Sequence, residues 1–235
     1  MRYEPTRTPQ ISNNEDWRTI VQNAYRWLAD EFRRISDGAI ELFSVADYTA
    51  IGHVNSNGSL PDSYYIAGFN NGTALTVGVP SANVLRAIPF IAPGRGSKLS
   101  QLAFNVTVLG VGSARIGIYN SKSKYDIYPD KLLDQSADIS ITSIGVKTYA
   151  STVQLQPGAL YWLAMVSDGT PTLRCGDLSG SEVPKIIPHA AALGTTPSLG
   201  LSVAYPYAAL PTTFPASAAF ITALPVPALA YRFGA

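Results

Sequence analysis

The sequence predicts a mainly β chain: an N-terminal amphipathic α-helix, a β connector, and an antiparallel β-sandwich of jelly-roll-like character. Three observations predict it. Helical periodicity occurs in one segment near the start; after Gly38 the apolar spacing changes to period two with asparagine- and glycine-rich turns; and from Leu85 short apolar runs follow one another with no helical period between them. The boundaries that follow are residues 1–38 for the helix, 39–83 for the connector, and 84–235 for the sandwich with an apolar C-terminal tail.

The helix is read from Trp17, Ile20, Val21, Ala24, Trp27, Leu28, Phe32 and Ile35, a stripe at 3.6 spacing opposite Arg18, Gln22, Arg26, Asp30 and Arg33. Ser12 with Glu15, or Asn13 with Asp16, caps its start, and Asp37-Gly38 ends it. It is then about 21 residues and on the order of 30 Å long. No second helix is present in the sequence to cover the stripe, so it lies on the β region, on copies of itself, or on another protein. Two tryptophans and a phenylalanine are wide for a strict heptad seam, which favours a short bundle or docking over a long coiled coil. The face made by Trp17, Ile20, Val21, Ala24, Leu28 and Phe32 is the candidate anchoring or oligomerisation surface.

In the connector, Ala39 to Phe43 alternates loosely, and Asn55-Ser56-Asn57-Gly58 and Asn70-Asn71-Gly72 are turn signals of the kind that join antiparallel strands. In the sandwich the expected strands are Leu85 to Ile91, Lys98 to Leu109, Ala114 to Tyr119, Lys147 to Leu155 and Ala159 to Val166, with Gln156-Pro157-Gly158 as a tight turn. Later strands are expected around Leu199 to Tyr205 and Ala218 to Leu224, completing the sheets or crossing to a neighbour.

Composition points to hidden surface. Of the 235 residues 14% are charged, against about a quarter in ordinary soluble domains. After Lys185 the single charged side chain is Arg232. So apolar a tail needs a surface to lie against, and the expected place is between subunits. The net charge of +1 supplies no field for nucleic acid or anionic lipid. The most apolar stretch, Ala216 to Ala230, carries Pro225 and Pro227 and falls short of the roughly twenty residues of a membrane span. The first residues lack the apolar core of a secretory signal, so no Sec-type export is expected. The lone cysteine, Cys175, excludes an internal disulfide framework and a cysteine zinc cluster, and a buried apolar role is expected for it.

The run Ile88-Pro89-Phe90, Leu102-Ala103-Phe104-Asn105-Val106, Ala114-Arg115-Ile116-Gly117-Ile118-Tyr119, Tyr128-Pro129-Asp130-Lys131-Leu132-Leu133 and Leu155 to Ala164 resembles a β-sandwich module of bacteriophage tail fibres, head spikes and related virion appendages. In that module a strand ending in G-I-Y leads into a Y-P-x-x-L loop, and a final hairpin reads L-x-P-G-x-Y-W-L-A. The resemblance covers about residues 84 to 175. A short helix preceding such a module resembles the anchor by which these appendages attach to the particle. It implies a homotrimeric structural protein of the virion, assembled in the host cytoplasm, whose partners are itself and a tail adaptor or capsid protein. A receptor-binding module for a host-surface glycan or protein is the alternative, and a polysaccharide depolymerase a third. The tail after Lys185 does not fit the module's pattern.

Chemistry is sparse. His53 and His189 have no carboxylate or cysteine at ligand spacing, and no G-x-S-x-G elbow occurs. Gly110-Val111-Gly112-Ser113 reads as a turn, with no helix behind it to bind phosphate. Asp126, Asp130, Asp134 and Asp138 are the carboxylates from which a glycosidase pair would be drawn, and the first three those for a calcium site, but their spacing is also that of a solvated loop or short helix. The expectation is no enzymatic activity, no cofactor and no metal. Of the 13 tyrosines, Tyr64-Tyr65, Tyr125 with Tyr128, and Tyr205 with Tyr207 fall in predicted loops or strand ends and offer contact area for a sugar or a protein.

Overall fold

The computed structural model describes residues 25, 28–29, 64–68, 75–92, 98–123, 126–156, 158–176, 198–222 and 225–233. The chain divides between Ile51 and Gly52. In the first unit Tyr25, Leu28 and Ala29 are helical and exposed. The rest of the predicted helix, with Trp17, Ile20, Val21, Ala24 and Phe32 of its apolar face, lies outside the described residues.

In the second unit the chain crosses repeatedly between two antiparallel sheets. The first holds β1 (Tyr65–Ile66), β2 (Thr76–Gly78), β4 (Leu99–Val108), β8 (Gly145–Ala150), β10 (Thr172–Gly176), β13 (Val226–Pro227) and β14 (Ala230–Phe233). Its order is β1-β14-β4-β10-β13, with β8 on the other edge of β4 and β2 on β10. The second holds β3 (Val84–Ile91), β5 (Ser113–Ser121), β6 (Pro129–Gln135), β7 (Ile139–Ser140), β9 (Leu160–Ser167), β11 (Leu201–Ala204) and β12 (Ala219–Phe220). Its order is β12-β11-β3-β9-β5-β6, with β7 on β5. Within the segment read as a connector, β1 and β2 are thus strands of the first sheet. The turn after Gln156 is closed as expected, the Ala159 amide donating to the Gln156 carbonyl at 3.2 Å.

Pairing register shows which residues share a face. Ile88 lies opposite Leu163 and Phe90 opposite Tyr161, while Ile116 and Ile118 lie opposite Met165 and Leu163. This face looks at the first sheet, where the Phe90 ring stacks on Tyr231 with centroids 4.3 Å apart. The alternate residues, Ala87, Pro89, Gly117, Tyr119, Trp162 and Ala164, face the other way. They too are buried. Every residue of β9 from Tyr161 to Ser167 is buried, which is why the strand reads as a continuous apolar run with no alternation. Pro89 has no N–H for a ladder, and β11 ends its pairing at Ala87, before reaching it.

What covers this outer face is the C-terminal tail. Where composition suggested burial between subunits, Leu199, Leu201, Leu210, Phe214 and Ile221 of its described part are buried within the chain, with exposed residues between them. Leu210 and Phe214 are buried against the second sheet, Phe214 edge-on to Tyr119 at 5.3 Å. A β-carbon on Gly117 would stand 2.6 Å from Leu210 Cδ1 and 2.7 Å from the Asp134 carbonyl oxygen, so glycine is what lets the tail approach. Polar groups fasten the same segment: Tyr119 Oη donates to the Pro211 carbonyl (2.8 Å), Tyr128 Oη to that of Pro215 (2.6 Å), and the Leu210 amide to Gln135 Oε1 (2.7 Å). The amides of Leu132 and Phe214 are exchanged for carbonyls of Thr212 and Asp130, so the tail also pairs with the free edge of β6. Beyond it, β13 and β14 return to the first sheet and bury Val226, Leu229, Tyr231 and Phe233.

The energetic consequence is direct. Phe214→Ala removes a fully covered ring, and the expected loss is about 3 to 5 kcal/mol, measured by urea unfolding. The loss should not depend on protein concentration; a concentration-dependent loss would return the tail to an interface between chains.

Candidate functional site

The four aspartates singled out in the sequence do not gather. Asp130 and Asp134 belong to β6, a strand, where a loop or short helix was expected. The reason is positional: β6 is the outermost strand of its sheet and places Lys131 and Leu133 in solvent, so no apolar alternation marks it. Asp126 pairs with Lys122 at 3.0 Å and accepts from the Tyr128 amide, and both hold its carboxyl below the usual range, Lys122 foremost. Asp138 pairs with Arg115 at 2.7 Å. Asp134 lies opposite Ile118 and so faces the space between the sheets. A carboxylate there has to be satisfied. Tyr149 Oη of β8 and Ser151 Oγ both donate to it at 2.7 Å, which ties the edge of the second sheet to the edge of the first. Among the described residues no group of three histidine, cysteine, aspartate or glutamate side chains is placed to hold a metal ion.

The loop tyrosines are tied into the fold. Tyr64 Oη donates to Gln101 Oε1 (2.6 Å), the Tyr65 ring stacks on Tyr231, and Tyr205 Oη donates to the Ala209 carbonyl (2.7 Å). Tyr207 Oη donates to Asp138 Oδ1 at 2.7 Å. Partial burial, then the Asp138 carboxylate, push its phenol up to about 12. Tyr125, His53 and His189 lie outside the described residues. Cys175 is buried as expected, and burial pushes its thiol up to about 11. No helix among the described residues is long and apolar enough to cross a membrane.

What the strands bring together is a set of turns. β4 ends at Val108 beside Thr172, where β10 begins; β5 begins opposite the end of β9; and β8 begins at Gly145 opposite Val106. Turns 109–112, 141–144 and 168–171 therefore meet at one end of the two-sheet unit. They are knotted by hydrogen bonds: the Gly110 amide to the Ile141 carbonyl (3.0 Å), the Ile141 amide to that of Gly112 (3.2 Å), and the Ser113 amide to Asp168 Oδ1 (2.6 Å). Gly112 has φ of 98°, and a β-carbon on it would run into the Asp168 carboxylate, so the knot requires glycine there. On this rigid base four large aliphatic side chains stand in solvent: Val111 at 84% exposure, Ile144 at 67%, Leu109 at 58% and Val108 at 56%. The end of β11 brings Tyr207 to the same end, its amide held by Asn83 Oδ1 at 2.9 Å.

No protein-family model matches the chain, and no curated protein does.

Of the helix face predicted as a site, Leu28 is described, helical and exposed; the other five residues lie outside the described set. The turn end was missed in the sequence although Val108-Leu109-Gly110-Val111-Gly112 carries a signal. Large aliphatics interleaved with glycines in a tight turn have no second layer to pack beneath.

The Asp134 tie is testable through Tyr149, whose phenol is pushed up to about 12 by partial burial and then by the carboxylate. Because the folded value is raised, its contribution is fully present below the ordinary tyrosine value near 10 and is lost as pH rises through 12. Tyr149→Phe should cost about 1 kcal/mol at neutral pH. In urea unfolding followed from pH 9 to 12, the gap between parent and variant should close.

Proposed function

We propose that this chain is a structural component of a bacteriophage particle, a fibre or spike anchored by its N-terminal helix and displaying a jelly-roll-like β-sandwich, homotrimeric and without enzymatic activity. The observation that carries the reading is where the resembling segments fall. Ile88-Pro89-Phe90 on β3, Gly117-Ile118-Tyr119 on β5 and Tyr161 to Ala164 on β9 are neighbours across one sheet, and Tyr128 to Leu133 leads into β6 beside them. Several motif residues have packing tasks there. Trp162 Nε1 donates to the Ile127 carbonyl at 2.9 Å, binding the Y-P-x-x-L entry to the hairpin strand, and Tyr119 holds the tail. Residues used this way support a module built to be stable and displayed.

A second reading, attachment to a host-surface glycan or protein, is favoured by the turn end. β1 runs antiparallel to β14 and β14 antiparallel to β4, so β1 runs in the direction of β4, whose Val108 end carries the turns. Exposed aliphatic side chains on hydrogen-bonded turns are contact area of the kind an attachment surface uses.

Light scattering on the purified full-length protein tests the structural reading: the expected mass is three chains. The double variant Trp17→Asp, Val21→Asp should lose incorporation into the particle, or the trimer itself, with the β unit still folded by circular dichroism. A monodisperse single chain at micromolar concentration would sink the homotrimer.

A further inference from the structure

We infer that Lys147 keeps the open edge of β8 from pairing with a strand of another chain. Each sheet has one long outer strand. In the second sheet it is β6, seven residues, and the tail closes its free edge: the Leu132 amide donates to the Thr212 carbonyl at 3.0 Å and the Phe214 amide to that of Asp130 at 2.8 Å. In the first sheet it is β8, six residues, paired along its length with β4. Among the described residues no strand pairs with its other edge. The remaining outer strands, β1, β2, β7, β12 and β13, are two or three residues long. The end of β3 that β11 leaves unpaired, Ile88 to Ile91, carries Pro89, which has no N–H to offer an incoming strand. β8 is therefore the described edge best able to template a further strand.

The sequence of β8 opposes this at one position. Lys147 is the single charged side chain between Asp138 and Asp168, and it falls near the middle of the open strand. Val146, Thr148 and Tyr149 around it favour strands. Without the charge, Gly145 to Ala150 is a neutral, proline-free run of the kind that pairs edge to edge.

Geometry shows how the charge acts. Lys147 lies opposite Phe104 and Tyr149 opposite Leu102, both core residues, so these two side chains are on the face of β8 that looks toward the second sheet. Tyr149 crosses to Asp134 at 2.7 Å. Lys147 does not: its ammonium donates to Ser143 Oγ at 2.6 Å, and among the described residues no carboxylate forms an ion pair with it. An open edge leaves the rest of that ammonium to water. A strand laid along the edge would cover it with no carboxylate to compensate the lost hydration, and a charge turned inward on an edge strand disfavours strand addition for that reason.

The test follows four full-length proteins by light scattering, fresh and after incubation at high concentration: the parent, Lys147→Val, Lys147→Arg and Ser143→Ala. Near-ultraviolet circular dichroism checks that each is folded, and Lys147→Gln replaces the valine variant if that one is not. Removal of the charge should move the protein to multiples of the parent's mass, whether the parent is one chain or three, while Lys147→Arg and Ser143→Ala keep the parent's mass. In the associated variant the amides of residues 145–150 should gain protection from hydrogen exchange. A neutral variant that keeps the parent's mass overturns the inference. So does association of Lys147→Arg or Ser143→Ala, which both leave the charge in place, and so does protection gained elsewhere with none in β8.

Discussion

The second sheet is buried on both faces, and most of the molecule follows from that. A sheet with one face on the core and one in water would show alternating side chains. Here β9 is apolar at every position, β5 carries Gly117 and Tyr119 where polar residues would be expected, and β3 carries Pro89. Such strands require a second covering layer. The chain supplies it by sending residues 205–221 back across the outer face, with Leu210 and Phe214 as the buried anchors and tyrosine hydroxyls taking up carbonyls that an irregular segment would leave unpaired. The tail's apolar anchors are therefore a packing requirement, while the residues between them, such as Thr212, Thr213 and Phe220, face solvent.

The same logic explains which elements were legible in the sequence. β3, β4, β5 and β9 each bury a run of large apolar side chains, so composition and period mark them within a residue or two. β6 was not legible because it lies at an edge, with an aspartate turned inward to meet Tyr149 and Ser151. That pairing comes from a strand more than ten residues away, and no local pattern encodes it. β1, β2 and β13 are two or three residues long and exist because a neighbour's edge is there to receive them. The tail's apolar character was plain, but its partner was assigned to another chain, since nothing in the sequence says that the outer face of a sheet sixty residues earlier is bare.

That correction changes what the composition means. Low charge was read as surface hidden by assembly, yet much of the hidden surface is hidden inside the fold, under the tail and between the sheets. The argument for assembly narrows to what stays uncovered. A fold that closes its sheet edge with Asp134, plugs its outer face with Phe214 and lines the approach with Gly117 leaves Val108, Leu109, Val111 and Ile144 in water on its most tightly hydrogen-bonded turns. Their turns are hydrogen-bonded to one another, yet these side chains remain exposed. With Val77, Val79 and Val146 they are the described aliphatic side chains of the β unit that the fold leaves more than half exposed.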